Sequence, residues 1–471
     1  MSAEQHSPGA PAPGSDTQTG NGPSRAGVVL GITIIVGLGG FLFGYDSGVI
    51  SGALKFITQD FHLSAGVSGL VVSSILVGAM VGSLSSGRLS DRYGRRTIII
   101  VAALAFVVGA VLAALAPSVA ILLAARVILG LGIGAASALV PVFIAEVAPP
   151  ATRGRLVAVN QLLITIGIVA AYVVGYAFTD SHNWRAMFGV GAIPALGLGI
   201  GMFFMPESPR WLLARGREGR ARAVLTKLRP SAAAVEAELA EIGQVRPDHG
   251  TRLKDLAKRW MAPALIAGIG LQVLGQATGV NTVIYYAPTI FGHAGLGAST
   301  AILATVGIGI VNLVMTVVGM MLVDRIGRRR LLISGVTIMT VALVVLALTL
   351  SIAGLSDTTG LVAFICIAVY IAAVAASLDV VVFIIPSEIY PLRVRGTAMS
   401  VTLFSNWGMN FVVSLTFLTL LQALGTAGTF WLYAALCAVL VIFTLKFIPE
   451  TRGRSLEEIE RDFHGGTVAE R

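Results

Sequence analysis

Charged residues are scarce in this sequence. Only 12% of the 471 residues are Asp, Glu, Lys or Arg, whereas 55% are hydrophobic. A water-soluble fold usually carries about twice that share of charge. The composition therefore excludes an ordinary soluble domain and favours a protein that lies in a lipid bilayer.

Cysteine and histidine are also rare, and their positions exclude several chemistries. The two cysteines, Cys366 and Cys437, lie far apart in apolar segments, which favours packing roles. The six histidines all lie outside the apolar segments, so no metal-ligand cluster or buried general base is expected. No P-loop, nucleophile elbow or aromatic-interleaved basic patch occurs. We therefore expect no enzyme, no ATP-driven pump, no cofactor and no nucleic-acid partner.

Long apolar runs dominate the sequence. Twelve of them are long enough to cross the hydrocarbon core, and they predict an all-α integral membrane protein with twelve transmembrane helices. The predicted boundaries are 28–52, 64–86, 97–116, 119–143, 156–178, 186–205, 260–290, 300–323, 330–351, 361–386, 395–421 and 428–448.

The basic residues predict the orientation of these spans. Of 33 Lys and Arg residues, Lys55 and Arg185 fall on one side and Arg126 lies inside a span, so 33 − 3 = 30 lie on the other side. The positive-inside rule makes that side cytoplasmic and places both termini there. The net charge of +9 then reflects topology and contact with anionic lipid headgroups.

The second half of the chain repeats motifs of the first half in the same order. "SDRYGRR" at 90–96 matches "VDRIGRR" at 323–329, "AEVAPPATRGR" at 145–155 matches "SEIYPLRVRGT" at 387–397, and "PESPR" at 206–210 matches "PETRG" at 449–453. Three ordered matches indicate duplicated six-helix halves. Acid-base pairs between the halves are predicted to form a cytoplasmic latch from Asp91, Arg92, Glu146, Arg153, Asp324, Arg325, Glu388 and Arg395.

The repeats divide the chain into five predicted parts. Residues 1–24 form a disordered cytoplasmic tail, and residues 25–206 form the N-terminal six-helix bundle. Residues 207–258 form a cytoplasmic linker with short amphipathic helices, for which a plain solvated linker is the alternative. Residues 259–450 form the C-terminal six-helix bundle, and residues 451–471 form a second cytoplasmic tail.

The paired "DRxGRR" loops, "PESPRWL", "IPETRG" and "TGVNTVIYYAPTIF" at 278–291 resemble the sugar porter family of the major facilitator superfamily over almost the entire chain. The sequence is similar to bacterial proton-coupled monosaccharide symporters in particular. The resemblance implies two six-helix bundles around a central cavity and transport by alternating access. We expect a monomer in a bacterial inner membrane.

Asp46 is the one acid in the first apolar segment, and Arg126 is the one basic residue in the interior of any predicted span, since Arg330, Arg395 and Lys446 lie at span ends. A buried carboxylate needs a partner, so we expect these two side chains to pair. Burial favours the protonated carboxyl, whereas the arginine favours the carboxylate. A motion that separates the pair would therefore change its proton affinity. A static salt bridge is the alternative.

The resemblance favours proton coupling, because sugar porters that are proton symporters have an aspartate in "FGYD" and an arginine in span 4. A facilitative uniporter with a structural Asp46 remains the closest rival. A sugar receptor that signals without transport is the alternative from another class.

Neutral amides suit a sugar, which has many hydroxyl groups and no charge. The resemblance implies sugar contacts for Gln161, Gln276, Asn281 and Asn312, with Trp407 and Asn410 close by. Gln272 shares a helical face with Gln276 and is a further candidate, while Gly275 and Gly279 allow the backbone to unwind and redirect Asn281. Hydrogen bonding between helices is the alternative for each amide.

Two departures from the family pattern fall in the predicted site. Gly275 stands where many sugar porters have a glutamine, and Asp379 and Phe383 stand where a glycine and a tryptophan are expected. Asp379 could contact substrate hydroxyls, bind a second proton, attract a cationic substrate or be neutral and structural. The family match assigns Tyr285 and Tyr286 to an outer gate, although packing is the common role of such aromatics.

Overall fold

The structure, a computed structural model, describes residues 25–149, 152–229, 231–244, 256, 261–352, 357–391 and 394–452. The predicted tail at 1–24 and nearly all of the tail at 451–471 lie outside these ranges. Almost every described residue belongs to a helix. Among the described helices, eleven are long and apolar enough to cross a membrane.

The first half contains six spans, numbered here in chain order. Their bounds are Arg25–Phe61, Ala65–Tyr93, Arg95–Ala114, Val119–Val147, Arg153–Ala177 and, for span 6, the consecutive helices Trp184–Val190 and Ala192–Phe204.

The second half contains the other six spans, and two of them, spans 7 and 10, are interrupted helices. Span 7 consists of Ala262–Ala277 and Val280–His293. Spans 8 and 9 are Ala298–Ile326 and Arg328–Ile352. Span 10 is Asp357–Ala373, a π-helical turn at Val374–Leu378, and Asp379–Ile389. Spans 11 and 12 share the helix Arg395–Phe447, which breaks at Gly425 with φ 69°. The break makes two spans from one helix, and the prediction of twelve spans is confirmed.

Three short helices follow span 6, at Pro209–Ala214, Glu218–Leu228 and Ala232–Gln244. Their apolar faces form a small core of their own around Trp211, Leu225 and Leu239. Arg229 pairs with Glu238 and donates hydrogen bonds to the carbonyls of Val147 and Ala148, 2.9 and 3.3 Å away. Because these carbonyls end span 4, the short helices are attached to the first half.

Glycines allow spans 2 and 4 to pack backbone against backbone. A Cβ atom added to Gly130 would lie 2.0 Å from the Ile75 carbonyl oxygen, and one added to Gly134 would lie 2.2 Å from that of Ala79. A Cβ atom added to Gly78 would lie equally close to the Val127 carbonyl oxygen, at 2.1 Å. The face of span 4 that carries Arg126 is therefore the face that contacts span 2.

Substituting Gly130 with leucine should separate spans 2 and 4 and destabilise the fold by about 3 kcal/mol, because backbone atoms cannot yield as a flexible side chain can. Thermal unfolding of the purified protein in detergent measures the loss. Gly154→Leu is the matched control, since nothing lies within 4 Å of a Cβ there. Equal melting temperatures for the two variants would contradict the close packing.

Candidate functional site

Asp46 and Arg126 form an ion pair inside the first half. The Arg126 Nη1 atom lies 3.2 and 3.3 Å from the two carboxylate oxygens of Asp46, and both residues are almost fully buried. Arg126 also donates from Nε to the Val71 carbonyl at 2.9 Å and from Nη2 to the Val72 carbonyl at 3.0 Å. Span 2 thus holds the guanidinium in place, and the carboxylate of span 1 completes its partners.

The ion pair lines a narrow space between the two halves. Its walls come from spans 1, 2 and 4 on one side and from spans 7 and 11 on the other. The lining residues are Phe43, Asp46, Ser47, Ile75, Leu76, Ala79, Arg126, Ile133, Tyr285 and Trp407. The space has room for about one water molecule, so this conformation leaves no room for a sugar beside Asp46.

The arginine-rich loops lie at one end of the molecule, which we call the basic end. Contacts between the halves lie toward the opposite end. Tyr172 in span 5 donates a hydrogen bond to the Ile284 carbonyl in span 7 at 2.9 Å. A Cβ at Gly309 in span 8 would lie 3.4 Å from Val169 in span 5, and one at Gly69 in span 2 would lie 2.4 Å from the Leu415 carbonyl oxygen in span 11. The halves are thus closed together away from the basic end.

Within the part of the chain that the structure describes, the predicted latch pairs between the halves do not form in this conformation. Arg95 pairs with Asp91 and with Glu146, at 2.9 and 3.4 Å, within the first half. Arg328 makes the corresponding pairs with Asp324 and Glu388, at 3.3 and 3.2 Å, within the second half. Among the described residues, no ion pair joins the halves at the basic end. The acids instead hold the loops after spans 2 and 8 against their own half.

The basic partners predicted for this latch also require correction. Arg92 and Arg325 are exposed, and the pairs are made by Arg95 and Arg328 three residues later. Arg395 donates instead to the Tyr390 carbonyl at 3.0 Å. The Nε atom of the half-buried Arg153 has no hydrogen-bond partner among the described residues.

Two further acids at the basic end accept hydrogen bonds that the sequence motifs did not predict. Glu207 accepts a hydrogen bond from the Arg96 amide at 3.1 Å, and Glu450 accepts from the amides of Arg328 and Arg329 at 3.0 and 3.2 Å. Each carboxylate therefore caps the first turn of a span, where the helix dipole favours negative charge. The repeated "PES" and "PET" segments were the available signal.

Span 7 breaks at a single point, and this changes the roles predicted for its amides. Gly279 has φ 84°, the left-handed conformation, whereas Gly275 lies within a regular helix. The expected unwinding therefore occurs at Gly279 alone. It lets the Asn281 side chain turn back and donate to Gln276 at 2.7 Å, and both amides are partly exposed.

Gln272 is not available for a sugar contact in this structure. It is fully buried, donates to the Val382 carbonyl at 2.9 Å, and accepts a hydrogen bond from Asn406. The predicted substrate contact therefore fails for a physical reason: both polar atoms of the amide link span 7 to spans 10 and 11.

Replacing Gln272 with leucine should lower stability by about 1–3 kcal/mol, because the Val382 carbonyl and the Asn406 amide lose their partner. The apparent KM for the transported sugar should stay within about twofold, since the residue does not face the ligand. Gln161→Leu is the control: Gln161 is half-buried and makes no hydrogen bond with the described residues, so its loss should raise KM and spare stability. Melting curves and uptake kinetics separate the two results.

The other predicted contacts, Asn312, Trp407 and Asn410, lie on spans 8 and 11 of the second half. Asn410 donates to the Tyr285 hydroxyl at 3.4 Å and accepts from Ser414, while Asn312 accepts from Thr316. Trp407 packs edge-on against Phe43 across the two halves, with ring centroids 5.4 Å apart.

The two tyrosines predicted to gate the cavity occupy different environments. Tyr285 faces the narrow space beside Asp46. Tyr286 is fully buried against Phe417 and donates to the Ser414 carbonyl at 2.8 Å. In this conformation Tyr286 is a packing residue within the second half, as the alternative allowed, and Tyr285 is the tyrosine that borders the space between the halves.

Comparison with known proteins agrees with this arrangement of helices. Residues 32–463 match the family described as "Sugar (and other) transporter". The chain belongs to this transporter family. The transporter is 45% identical over 424 residues to the "Probable metabolite transport protein CsbC" of Bacillus subtilis, covering 90% of this chain and 92% of that one. It is 39% identical to the "Galactose-proton symporter" of Escherichia coli over 94% and 96% of the two chains.

A solved structure shows the same fold. The transporter matches the partially occluded inward open conformation of the xylose transporter XylE from E. coli with a TM-score of 0.79 and 30% identity, over 91% of this chain and 99% of that chain. The fold is thus the twelve-span major facilitator fold, and the protein is a multi-pass membrane transporter rather than an enzyme.

Proposed function

We propose that this sugar transporter is a proton-coupled symporter that imports a monosaccharide, namely a hexose, a pentose or a cyclic polyol. Asp46 carries the proton and Arg126 is its partner. The observation that supports this proposal is the buried Asp46–Arg126 pair, which lies on the wall of the space between the halves. A proton carrier needs a carboxyl group at a place that each half-cycle of alternating access exposes in turn.

The coupling follows from the contacts of the pair. Arg126 is fixed to span 2 by two carbonyl groups, whereas Asp46 belongs to span 1. A shift of span 1 relative to span 2 would lengthen the ion pair and so favour uptake of a proton by Asp46. Return of span 1 would restore the ion pair and favour release of the proton. The sugar is held by neutral groups, for which Gln161, Gln276, Asn281, Asn312, Trp407 and Asn410 are the proposed contacts.

Gradient-driven uptake by purified protein in proteoliposomes tests the function. A pH gradient of one unit supplies about 1.4 kcal/mol per proton, enough for about tenfold accumulation of a sugar at equilibrium. We expect one sugar from a panel of hexoses, pentoses and inositol to accumulate above its external concentration, and a protonophore to abolish the accumulation. Simple equilibration of that sugar would indicate a uniporter, and binding without counterflow would indicate a receptor.

We further propose that the basic end faces the cytoplasm of a bacterial inner membrane and that the transporter acts as a monomer. The concentration of Lys and Arg at one end supports this orientation. Labelling of single cysteines introduced at exposed positions of the two ends, in intact cells and in inverted vesicles, tests it.

A further inference from the structure

Asp379 occupies an unusual place in span 10. It is the first residue after the π-helical turn Val374–Leu378 and begins the last segment, Asp379–Ile389. A π turn inserts one residue into a helix and redirects the side chains that follow it, and such turns occur frequently at functional sites. The inserted turn therefore decides which side of the span carries the carboxylate.

The neighbours of the π turn show which side this is. Leu378 and Val382 lie 3.5 and 3.9 Å from the position of a Cβ at Gly275, so they face span 7. Ser377 instead contacts Gly335 in span 9. At about 100° per residue, Asp379 lies roughly 100° from Leu378 and roughly 200° from Ser377, and it therefore points away from span 9.

That flank of span 10 is not fully covered by the neighbouring spans. Phe383, one turn after Asp379 on the same face, is 43% exposed. Asp379 itself is half-buried. Its carboxylate is thus placed where a ligand bound by the second half could reach it.

The residues that the structure describes supply no hydrogen-bond or ion-pair partner for this carboxylate. Asp379 makes no hydrogen bond or ion pair with any residue that the structure describes. The buried cation of the first half, Arg126, is already bonded to Asp46, Val71 and Val72. Gly275, the residue of span 7 that Leu378 and Val382 face, has no side chain that could donate. A carboxylate at membrane depth without a cation is costly, and a cationic ligand would remove that cost.

Resting on the sugar transport function proposed above, we propose that Asp379 is the counter-charge for the ammonium group of an amino sugar. The ammonium donates charge-assisted hydrogen bonds to the carboxylate, while the hydroxyl groups bind the neutral amides of spans 7 and 11. An N-acetylated sugar has the same ring but no positive charge, so it gains nothing from Asp379.

Competition in proteoliposomes tests the proposal with D-glucosamine, N-acetyl-D-glucosamine and D-glucose as probes. We expect the wild type to prefer D-glucosamine to the N-acetyl sugar by about tenfold, a difference of about 1.4 kcal/mol. Asp379→Asn should remove this preference, measured as the ratio of the two inhibition constants in the same proteoliposomes. Asp379→Glu, which keeps the charge, should retain the preference. Asp180→Asn, an exposed carboxylate on a loop, is the control for a general effect of charge.

The outcomes separate this proposal from the transport function itself. Equal competition by the three sugars, or a preference that survives Asp379→Asn, would overturn the amino-sugar site while gradient-driven D-glucose uptake continues. A changed proton requirement for D-glucose without a changed preference would make Asp379 a protonation site and would also overturn it. Elution of each variant as a single peak in size exclusion checks that the substituted proteins fold.

Discussion

Asp46→Asn is expected to abolish sugar accumulation driven by a proton gradient while exchange of labelled for unlabelled sugar continues. Asparagine has nearly the shape of aspartate and keeps an oxygen that can accept from Arg126 Nη1, but it cannot take up or release a proton. The accumulation ratio should therefore fall from about tenfold per pH unit to about one. Uptake and counterflow in the same batch of proteoliposomes measure both quantities.

The chain offers a matched control for this substitution. Asp60 also pairs with an arginine, Arg185 at 3.3 Å, but this pair is about half exposed and lies outside the cavity. Asp60→Asn should leave accumulation unchanged. The Asp46→Asn variant should also unfold at a lower temperature, because it leaves the buried Arg126 cation without its counter-charge. Accumulation by Asp46→Asn at the wild-type level would show that another group carries the proton or that none does.

The Asp46–Arg126 contact is the part of the site that sequence reasoning reaches most directly. Charges inside spans are so few that burial leaves each one a short set of partners. The glycines one and two turns after Arg126 also indicate where span 4 approaches a neighbour closely. The sequence did not identify that neighbour as span 2, nor the carbonyls of Val71 and Val72 that hold the guanidinium.

Other features depend on helix phase and depth, which single motifs do not define. Gln272 and Gln276 share a helical face, yet one is fully buried between spans 10 and 11 and the other is partly exposed. The "DRxGRR" loops contain three arginines each, and only the folded turn after Gly94 or Gly327 selects Arg95 and Arg328 as the partners of the acids. The π turn in span 10 had no recognised signal at all.

A cross-link that holds the halves closed away from the basic end should have the second large effect on transport. In the double variant Val169→Cys/Gly309→Cys, an oxidant should join spans 5 and 8 and reduce sugar uptake to background, because alternating access requires these spans to separate. A Cβ at Gly309 lies 3.4 Å from the Val169 Cγ2 atom, a position that the sulfur of a cysteine introduced at residue 169 can occupy, so the two cysteines are close enough to be joined. The two native cysteines are buried and should stay reduced. A reductant should restore uptake.

A cross-link within one half is the matched control for this experiment. Gly52 in span 1 and Gly175 in span 5 both belong to the first half, and a Cβ at Gly52 would lie 3.2 Å from the Gly175 Cα. Because rocking separates spans of different halves, and spans 1 and 5 of the first half can move together, Gly52→Cys/Gly175→Cys should transport sugar equally well oxidised and reduced. Each single-cysteine variant should be insensitive to oxidant. Uptake that persists in fully cross-linked Val169→Cys/Gly309→Cys protein would mean that transport needs no separation of spans 5 and 8, and alternating access by rocking of the halves would have to be abandoned.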